Sequence, residues 1–337
     1  MTYRVRPATA DDFRAIYQMA KLTGGGFTNL PPDRQTLVGK LDRSVQSFSR
    51  SDEHQTGDLY MFVLEDPASG KIRGTCQVFG QVGVSQPFYS YHLSTLTQSS
   101  PELGKTFRNQ LLTLTTDLEG SSEVGGLFLH PEMRAGGWGS LLARSRYLFM
   151  KLHRKRFGDR TLAELRGVMD EAGNAPFWDS LAGKFFGMSF PEADEFNAVH
   201  GTKFIADLMP RAPIYVALLT DAARSVMGQP HPSGRAALRM LEEEGFHFDR
   251  YVDIFDGGPT VTADTDDIRT VRESTTETVC EIVEGGKTKA LVAAGRLNDF
   301  RCCCASVRKG KKGIAIDPQA ADLLEVKVGD EILMVAR

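Results

Sequence analysis

Gly125-Gly-Leu-Phe-Leu-His-Pro-Glu-Met-Arg-Ala-Gly-Gly-Trp-Gly-Ser-Leu-Leu142 is the stretch that decides the fold. The apolar run Leu127, Phe128 and Leu129 predicts a short buried strand. Arg134 to Gly139 is a basic, glycine-rich turn, and Ser140 starts a helix that continues through Leu141, Leu142, Ser145, Leu148, Phe149 and Leu152 at 3–4 residue spacing. Strand, glycine turn and helix together form an anion-binding layout. Gly136, Gly137 and Gly139 let the backbone come close to a ligand, and free N–H groups at the helix start point toward it. A dinucleotide fingerprint is excluded because Leu142 stands where its third glycine belongs, and a P-loop is excluded because no lysine closes the turn. An ordinary strand-to-helix connection, with glycines serving geometry alone, is the competing explanation.

The 337 residues suffice for two domains, or for one large domain with an appendage. With 41% hydrophobic and 25% charged residues and a net charge of −3, the chain reads as an ordinary globular protein without a nucleic-acid surface. The basic clusters His153–Arg156 and Arg308–Lys312 are short and read as solvated faces or helix ends. No apolar stretch approaches the ~18 residues of a membrane span, and the N-terminus lacks an apolar signal core. The five cysteines are Cys76, Cys280 and the run Cys302-Cys303-Cys304. Neither a disulfide framework nor zinc spacing results, so reduced core packing and a cytosolic location are expected, with no metal.

Residues 3–6 alternate as a strand, and Thr9 followed by Asp11 and Asp12 signals a helix N-terminus. Thr23 to Pro31 is a glycine-rich loop, either a connector or a substrate surface, and Leu37, Leu41, Val45 and Phe48 mark a second helix. Residues 59–65 and 72–83 form a hairpin around Asp66–Lys71, whereas 93–118 read as an irregular insertion. Ala163–Met169 is a further strand, after which Asn174 caps a helix with Pro176 in its first turn. Residues 202–262 look like a partial second copy of the same plan, with Ser233 capping a helix that stops at Gly245. From about 263, short β segments suggest a small barrel.

Arg134-x-x-Gly137-x-Gly139 resembles the pyrophosphate loop of GCN5-related N-acyltransferases, and the order of elements is that of their fold. The expected class is therefore α/β (α+β): a GCN5-related N-acyltransferase-like mixed sheet with flanking helices, a partial second copy and a small C-terminal β-barrel-like domain. The expected boundaries are 1–200 for the acyl-CoA-binding domain, 201–262 for the partial repeat and 263–337 for the β-rich domain.

More specific segments lie over most of residues 1–260. They include Thr23-Gly-Gly-Gly-Phe-Thr-Asn-Leu-Pro31, Gly120-Ser-Ser-Glu123, Arg166-Gly-Val-Met-Asp-Glu171, Gly228-Gln-Pro-His-Pro232 and Tyr251-Val-Asp-Ile-Phe-Asp-Gly-Gly-Pro-Thr260. Through them the chain resembles the arginine N-succinyltransferase family. That resemblance implies transfer of the succinyl group of succinyl-CoA to the α-amine of L-arginine, as the first step of arginine degradation by the succinyltransferase pathway. It implies no permanent cofactor, and it places the family's succinyl-CoA contact on Leu127 and its proton donor on His231. The acyl-CoA site is expected to comprise Leu127, Phe128, Leu129, Arg134, Gly136, Gly137, Trp138, Gly139 and Ser140.

His231 also has the right chemistry, because an imidazole can accept and return a proton near neutral pH, and a proline-bracketed polar turn is no place for a core histidine. His130 is the backup candidate, and Glu123 is a candidate acid or water-holding carboxylate. Asp253, Asp256, Asp170, Glu171 and Arg166 could grip the substrate's charges or be structural, and remain unassigned. An ornithine-preferring or dual-specificity subunit and a non-catalytic CoA- or arginine-binding subunit are the alternatives. Assembly as a homo-oligomer, or as a hetero-oligomer with a paralogous subunit, stays open.

Overall fold

The computed structural model describes residues 3–23, 29–134, 136–310 and 312–337, with backbone alone at 198–200. Residues 24–28 of the glycine-rich loop and Ala135 of the decisive turn lie outside the described residues.

β1 (Arg4–Pro7) leads to α1 (Phe13–Lys21) and α2 (Arg34–Ser49). Thr9 is the N-cap at the entry, as expected, and the structure adds a reciprocal capping box with Asp12. β2 (Leu59–Asp66) and β3 (Lys71–Phe79) make one hairpin, and β4 (Ser90–Ser100) and β5 (Lys105–Thr115) a longer one. Next come β6 (Ser122–Leu129), α3 (Trp138–Leu152) and β7 (Arg160–Glu164). A run of short elements follows: α4 (Pro176–Ser180), α5 (Gly183–Phe186), α6 (Phe190–His200), α7 (Lys203–Leu208), β8 (Ile214–Tyr215), α8 (Asp221–Val226) and α9 (Arg235–Glu243). β9 (His247–Val252), β10 (Pro259–Asp264) and α10 (Arg269–Glu273) lead into β11 (Thr275–Ile282), β12 (Thr288–Ala294) and β13 (Arg301–Gly310). β14 (Gly313–Ile316), α11 (Pro318–Leu324) and β15 (Glu331–Ala336) close the chain.

The main sheet runs β1-β2-β3-β6-β7-β10-β9-β4-β5-β8. Among these pairs only β6 and β7 are parallel, and they touch at just Ser122↔Thr161 and Glu123↔Leu162 before diverging. This is the mixed sheet expected of a GCN5-related N-acyltransferase-like fold. The C-terminal strands form a closed five-stranded barrel, β12-β15-β11-β14-β13 and back to β12, which β1 joins to the main sheet through β13.

Several expectations need correction. The segment 201–262, read as a partial second copy, builds no sheet of its own: β10 inserts between β7 and β9 and extends the first sheet. Residues 93–118 are not irregular but a hairpin paired from Ser90↔Thr115 to Ser100↔Lys105, whose threonine-rich strands suit an exposed β ribbon. The turn before α4 is capped otherwise than expected: Ala175 holds the N-cap position, and Asn174 bonds back to Asp170.

The sheet separates two cores. Val78, Val124, Ala163, Leu165 and Val261 face α3, whereas Met61, Val63 and Phe128 face α1 and α2. α3 was expected to bury one stripe, yet every residue from Leu141 to Met150 is buried, because barrel and α10 cover its other side. Its buried Arg144 is paired in consequence, meeting Glu244 at 3.0 Å and donating to Thr270 Oγ1 at 2.8 Å. In β13, Cys302 packs with the α3 core and Cys303 inside the barrel, the alternation a strand imposes.

Candidate active site

The divergence of β6 from β7 leaves backbone groups of 124–129 without a strand partner on that side. The buried Arg146 guanidinium of α3 donates to the carbonyl of Gly125 at 3.3 Å, taking up one of them. Gly126 has φ +56°, and the β3–β6 register shifts there, so a bulge re-aims the strand end. Beyond it, Leu127 and Leu129 lie half-buried against the α3 core, and Phe128 turns into the α1–α2 core, which leaves mainly its backbone for a ligand.

The turn into α3 takes the expected form. Gly136 and Gly137 have φ of +93° and +80°, and Gly137 is the N-cap of α3. A Cβ on Gly137 would collide with the Arg337 guanidinium, which donates to the carbonyl of Gly136 at 3.3 Å. Trp138 sets its ring against Tyr3 at 4.7 Å in an edge geometry, tying the turn to the N-terminal strand. Arg134 is exposed, a Cβ built on Gly139 would make only ordinary contact with Leu129, and Ser140 is half-buried in the first helical turn.

On the other side of the divergence, the chain after β7 stays extended: Leu165 N–H donates to Pro259 O, and Gly167 pairs with Pro230. His231 N–H donates to Arg166 O at 2.7 Å, which fixes the histidine beside the open end of β7. Its Nδ1 lies 2.7 Å from Ser233 Oγ and 3.3 Å from Ser233 N, so His231, not Ser233, caps the turn before α9. Nε2 has no partner among the described residues. Partial burial, and then the Arg166 charge, hold the His231 pKa below the usual 6.5.

Glu123 is buried at the start of β6. It accepts from Asn29 Nδ2 at 2.7 Å, and Lys40 Nζ donates to Asn29 O at 3.0 Å. Burial raises the Glu123 pKa and lowers that of Lys40 to about 8. Glu123 forms part of the wall of a cleft of 590 Å³ that Arg43, Asp58 and Phe79 also line.

The unassigned residues separate by partner. Asp253 accepts from Phe255 N and Asp256 N, and Asp256 from Gly167 N at 2.7 Å and Gly258 N at 2.8 Å, so both brace the turn behind His231. Asp170 caps an exposed loop, Glu171 is exposed, and Arg166 Nε is buried without a hydrogen-bond partner. His130 lies 3.6 Å from Glu132. His153 is buried and its pKa pushed down to about 4, firstly by burial, while the His92 ring lies tilted against Tyr251 at 4.8 Å. Glu164, the last residue of β7, went unnoticed in the sequence, although in an alternating strand with buried Ala163 and Leu165 it must face the opposite side of the sheet.

A glycine turn on a helix start, a strand pair that parts beside it, and a histidine at the opposite lip define an acyl-CoA-dependent N-acyltransferase type of site. Comparison with known proteins gives the family. The family described as arginine N-succinyltransferase beta subunit matches residues 3–270, and its C-terminal domain matches 274–336. Arginine N-succinyltransferase of Enterobacter sp. (strain 638) is 39% identical over 98% of this chain and 96% of its own length. That of Escherichia coli (strain 55989 / EAEC) is 38% identical, with the same coverage. The solved arginine/ornithine succinyltransferase subunit AI from Pseudomonas aeruginosa superposes with a TM-score of 0.91 at 34% identity, covering 99% of this chain and 98% of that one. The chain belongs to the arginine N-succinyltransferase family. Among the described residues, no helix is long and apolar enough to cross a membrane.

Proposed function

We propose that the protein transfers the succinyl group of succinyl-CoA to the α-amino group of L-arginine, giving N2-succinyl-L-arginine and CoA, the first step of arginine degradation by the succinyltransferase pathway. The kinship over 98% of the chain with arginine N-succinyltransferases carries this reading. Succinyl-CoA is a co-substrate. Its pyrophosphate lies on the turn Arg134–Ser140, and its pantetheine runs along the free edge of Leu127–Leu129 so that the thioester enters the divergence of β6 and β7.

The arginine ammonium loses one proton before attack, and a second leaves nitrogen as the amide forms. Nitrogen bonds to the thioester carbon, the C–S bond breaks, one proton ends on the CoA thiol and the other goes to solvent. His231 serves this exchange. In the tautomer that donates Nδ1–H to Ser233 Oγ, and so gives up the cap on Ser233 N–H, Nε2 presents a lone pair that takes a proton from the amine and returns it to the sulfur. A depressed pKa keeps the ring neutral and ready near pH 7. Glu123 is the candidate carboxylate for the first deprotonation, and Arg166, with its unpaired Nε, is the candidate partner of the succinyl carboxylate.

A second reading has one observation in its favour: the P. aeruginosa structure is described as a subunit of an arginine/ornithine enzyme. Dual acceptor use and assembly with a paralogous subunit would follow. Incubation with succinyl-CoA and either amino acid, with products identified by mass spectrometry, tests both readings. N2-Succinylarginine in excess is expected. Preferential succinylornithine selects the alternative, and no acylation by folded protein refutes both.

A further inference from the structure

Glu123, Glu164 and Thr260 share the sheet face opposite α3, and Glu123 lines the cleft. Their neighbours Val124, Ala163 and Val261 point into the α3 core, and Thr260 is the cross-strand partner of Glu164. Gln77 lies on the same face at the other side of the divergence, paired with Gly125.

These groups differ in how well they are satisfied. Glu123 holds Asn29, and Asp253 and Asp256 each accept two backbone N–H groups. The Glu164 carboxylate has neither a hydrogen bond nor an ion pair among the described residues, although part of its side chain remains reachable by water. Thr260 Oγ1 and Gln77 Oε1 are likewise unpartnered, in side chains that are 0% exposed. Firstly burial, and then the charges of Asp253, Glu123 and Asp256, press on Glu164 and raise its pKa well above the ordinary range. A carboxyl without a partner, beside an orphaned hydroxyl on the paired strand, is costly to maintain in a folded protein, and a bound donor removes the cost. A metal ion is not that donor: no group of three or more His, Cys, Asp or Glu among the described residues could hold one. A guanidinium, planar and cationic with five N–H donors and no acceptor, matches a site made of acceptors.

We propose that Glu164, with Thr260 Oγ1 on the neighbouring strand, receives the guanidinium of the acceptor amino acid. The assignment rests on the succinyl-transfer reading for the identity of the cation, and on the unpartnered acceptors for its location. The amino acid is thereby held by its far end, so that its α-amine is the group left for the thioester. Acceptors are selected by side-chain charge.

The test is Glu164→Gln, which keeps shape and removes charge, assayed with arginine and with citrulline, the neutral isostere of arginine. The KM for arginine should rise roughly 10- to 150-fold, the span of a lost charged hydrogen-bond pair, with kcat changed far less. The arginine-to-citrulline preference should shrink by a similar factor. Succinyl-CoA binding should be unchanged, and the Tm of the ligand-free variant should stay close to that of the natural protein, because the substitution breaks no hydrogen bond or ion pair among the described residues. An unchanged arginine KM overturns the proposal. So does an equal loss with arginine and citrulline, which would place Glu164 at the amine. If the natural protein acylates no amino acid, the succinyl-transfer reading fails by itself, and calorimetric arginine binding still decides the location: binding retained in Glu164→Gln refutes it, and binding lost supports it. Thr260→Val carries the same comparison should Glu164→Gln fold poorly.

Discussion

Gly167→Ala should separate the histidine side of the site from the acyl-CoA side. A Cβ built on Gly167 lies 2.5 Å from Asp256 O and 2.8 Å from both Asp256 Oδ1 and Gly258 N, all in a buried turn with little room to yield. The turn must retreat by several tenths of an ångström. The Gly167 N–H to Asp256 Oδ2 bond of 2.7 Å and the Gly167–Pro230 pairing are then lost or strained. One bond to a buried carboxylate and an orphaned buried N–H together cost about 3–5 kcal/mol. At roughly 1.4 °C per kcal/mol for a chain of this size, the Tm should fall by about 4–7 °C. His231 hangs from Arg166, one residue away, so its ring moves with the segment. A misplaced proton-transfer group loses roughly 10- to 100-fold in kcat. The glycine turn and Leu127 lie across the divergence, so the KM for succinyl-CoA should hold. The assay is CoA thiol release followed by disulfide exchange, alongside a thermal melt. A destabilised variant that retains full kcat would show that this segment does not place a proton-transfer group, and would remove His231 from that role.

Three further outcomes are expected. Gly137→Ala, which forces a residue with φ +80° into the path of the Arg337 guanidinium, should weaken CoA binding at least about tenfold by calorimetry without altering arginine binding. Ser233→Ala removes the 2.7 Å partner of His231 Nδ1; since the ring must be neutral to accept a proton, kcat/KM falls on acidification, and this acid limb, below pH 6.5 in the natural protein, should shift in the variant. Lys40 has a folded pKa near 8 against 10.5, so the unfolded chain binds more protons between these values and stability gains with rising pH across that window; Lys40→Met should flatten the gain, as read from Tm against pH.

Local chemistry made residues 125–142 readable: apolar strand, left-handed glycines and helix start are each set within a few neighbours. The same holds for the Thr9 N-cap and the barrel strands. What failed was non-local. The helix-then-strands texture of 201–262 looks the same whether those strands found a new sheet or complete an old one, and only the insertion of β10 between β7 and β9 decides. The β4–β5 ribbon hid because it carries few apolar residues to mark its faces. Burial of α3 on every side depends on a barrel that begins more than a hundred residues later. At the site, His231 could be singled out by its bracketing prolines and its family resemblance, but its anchorage on Arg166 and its role as the cap before α9 are tertiary facts. Asp253 and Asp256 stand out as acids in the sequence and prove to be braces, whereas Glu164 is inconspicuous there and turns out to be a half-buried carboxyl with no hydrogen bond or ion pair among the described residues.

The most direct measurement is thiol release from succinyl-CoA with L-arginine by the natural protein and by His231→Gln, each paired with calorimetric succinyl-CoA binding. Succinyl transfer through the open end of β6 and β7 predicts arginine-dependent release by the natural protein and a loss of about 100-fold or more in the variant, with succinyl-CoA binding preserved in both. A natural protein that binds succinyl-CoA yet releases no thiol with arginine, or a His231→Gln variant as fast as the natural one, would contradict it.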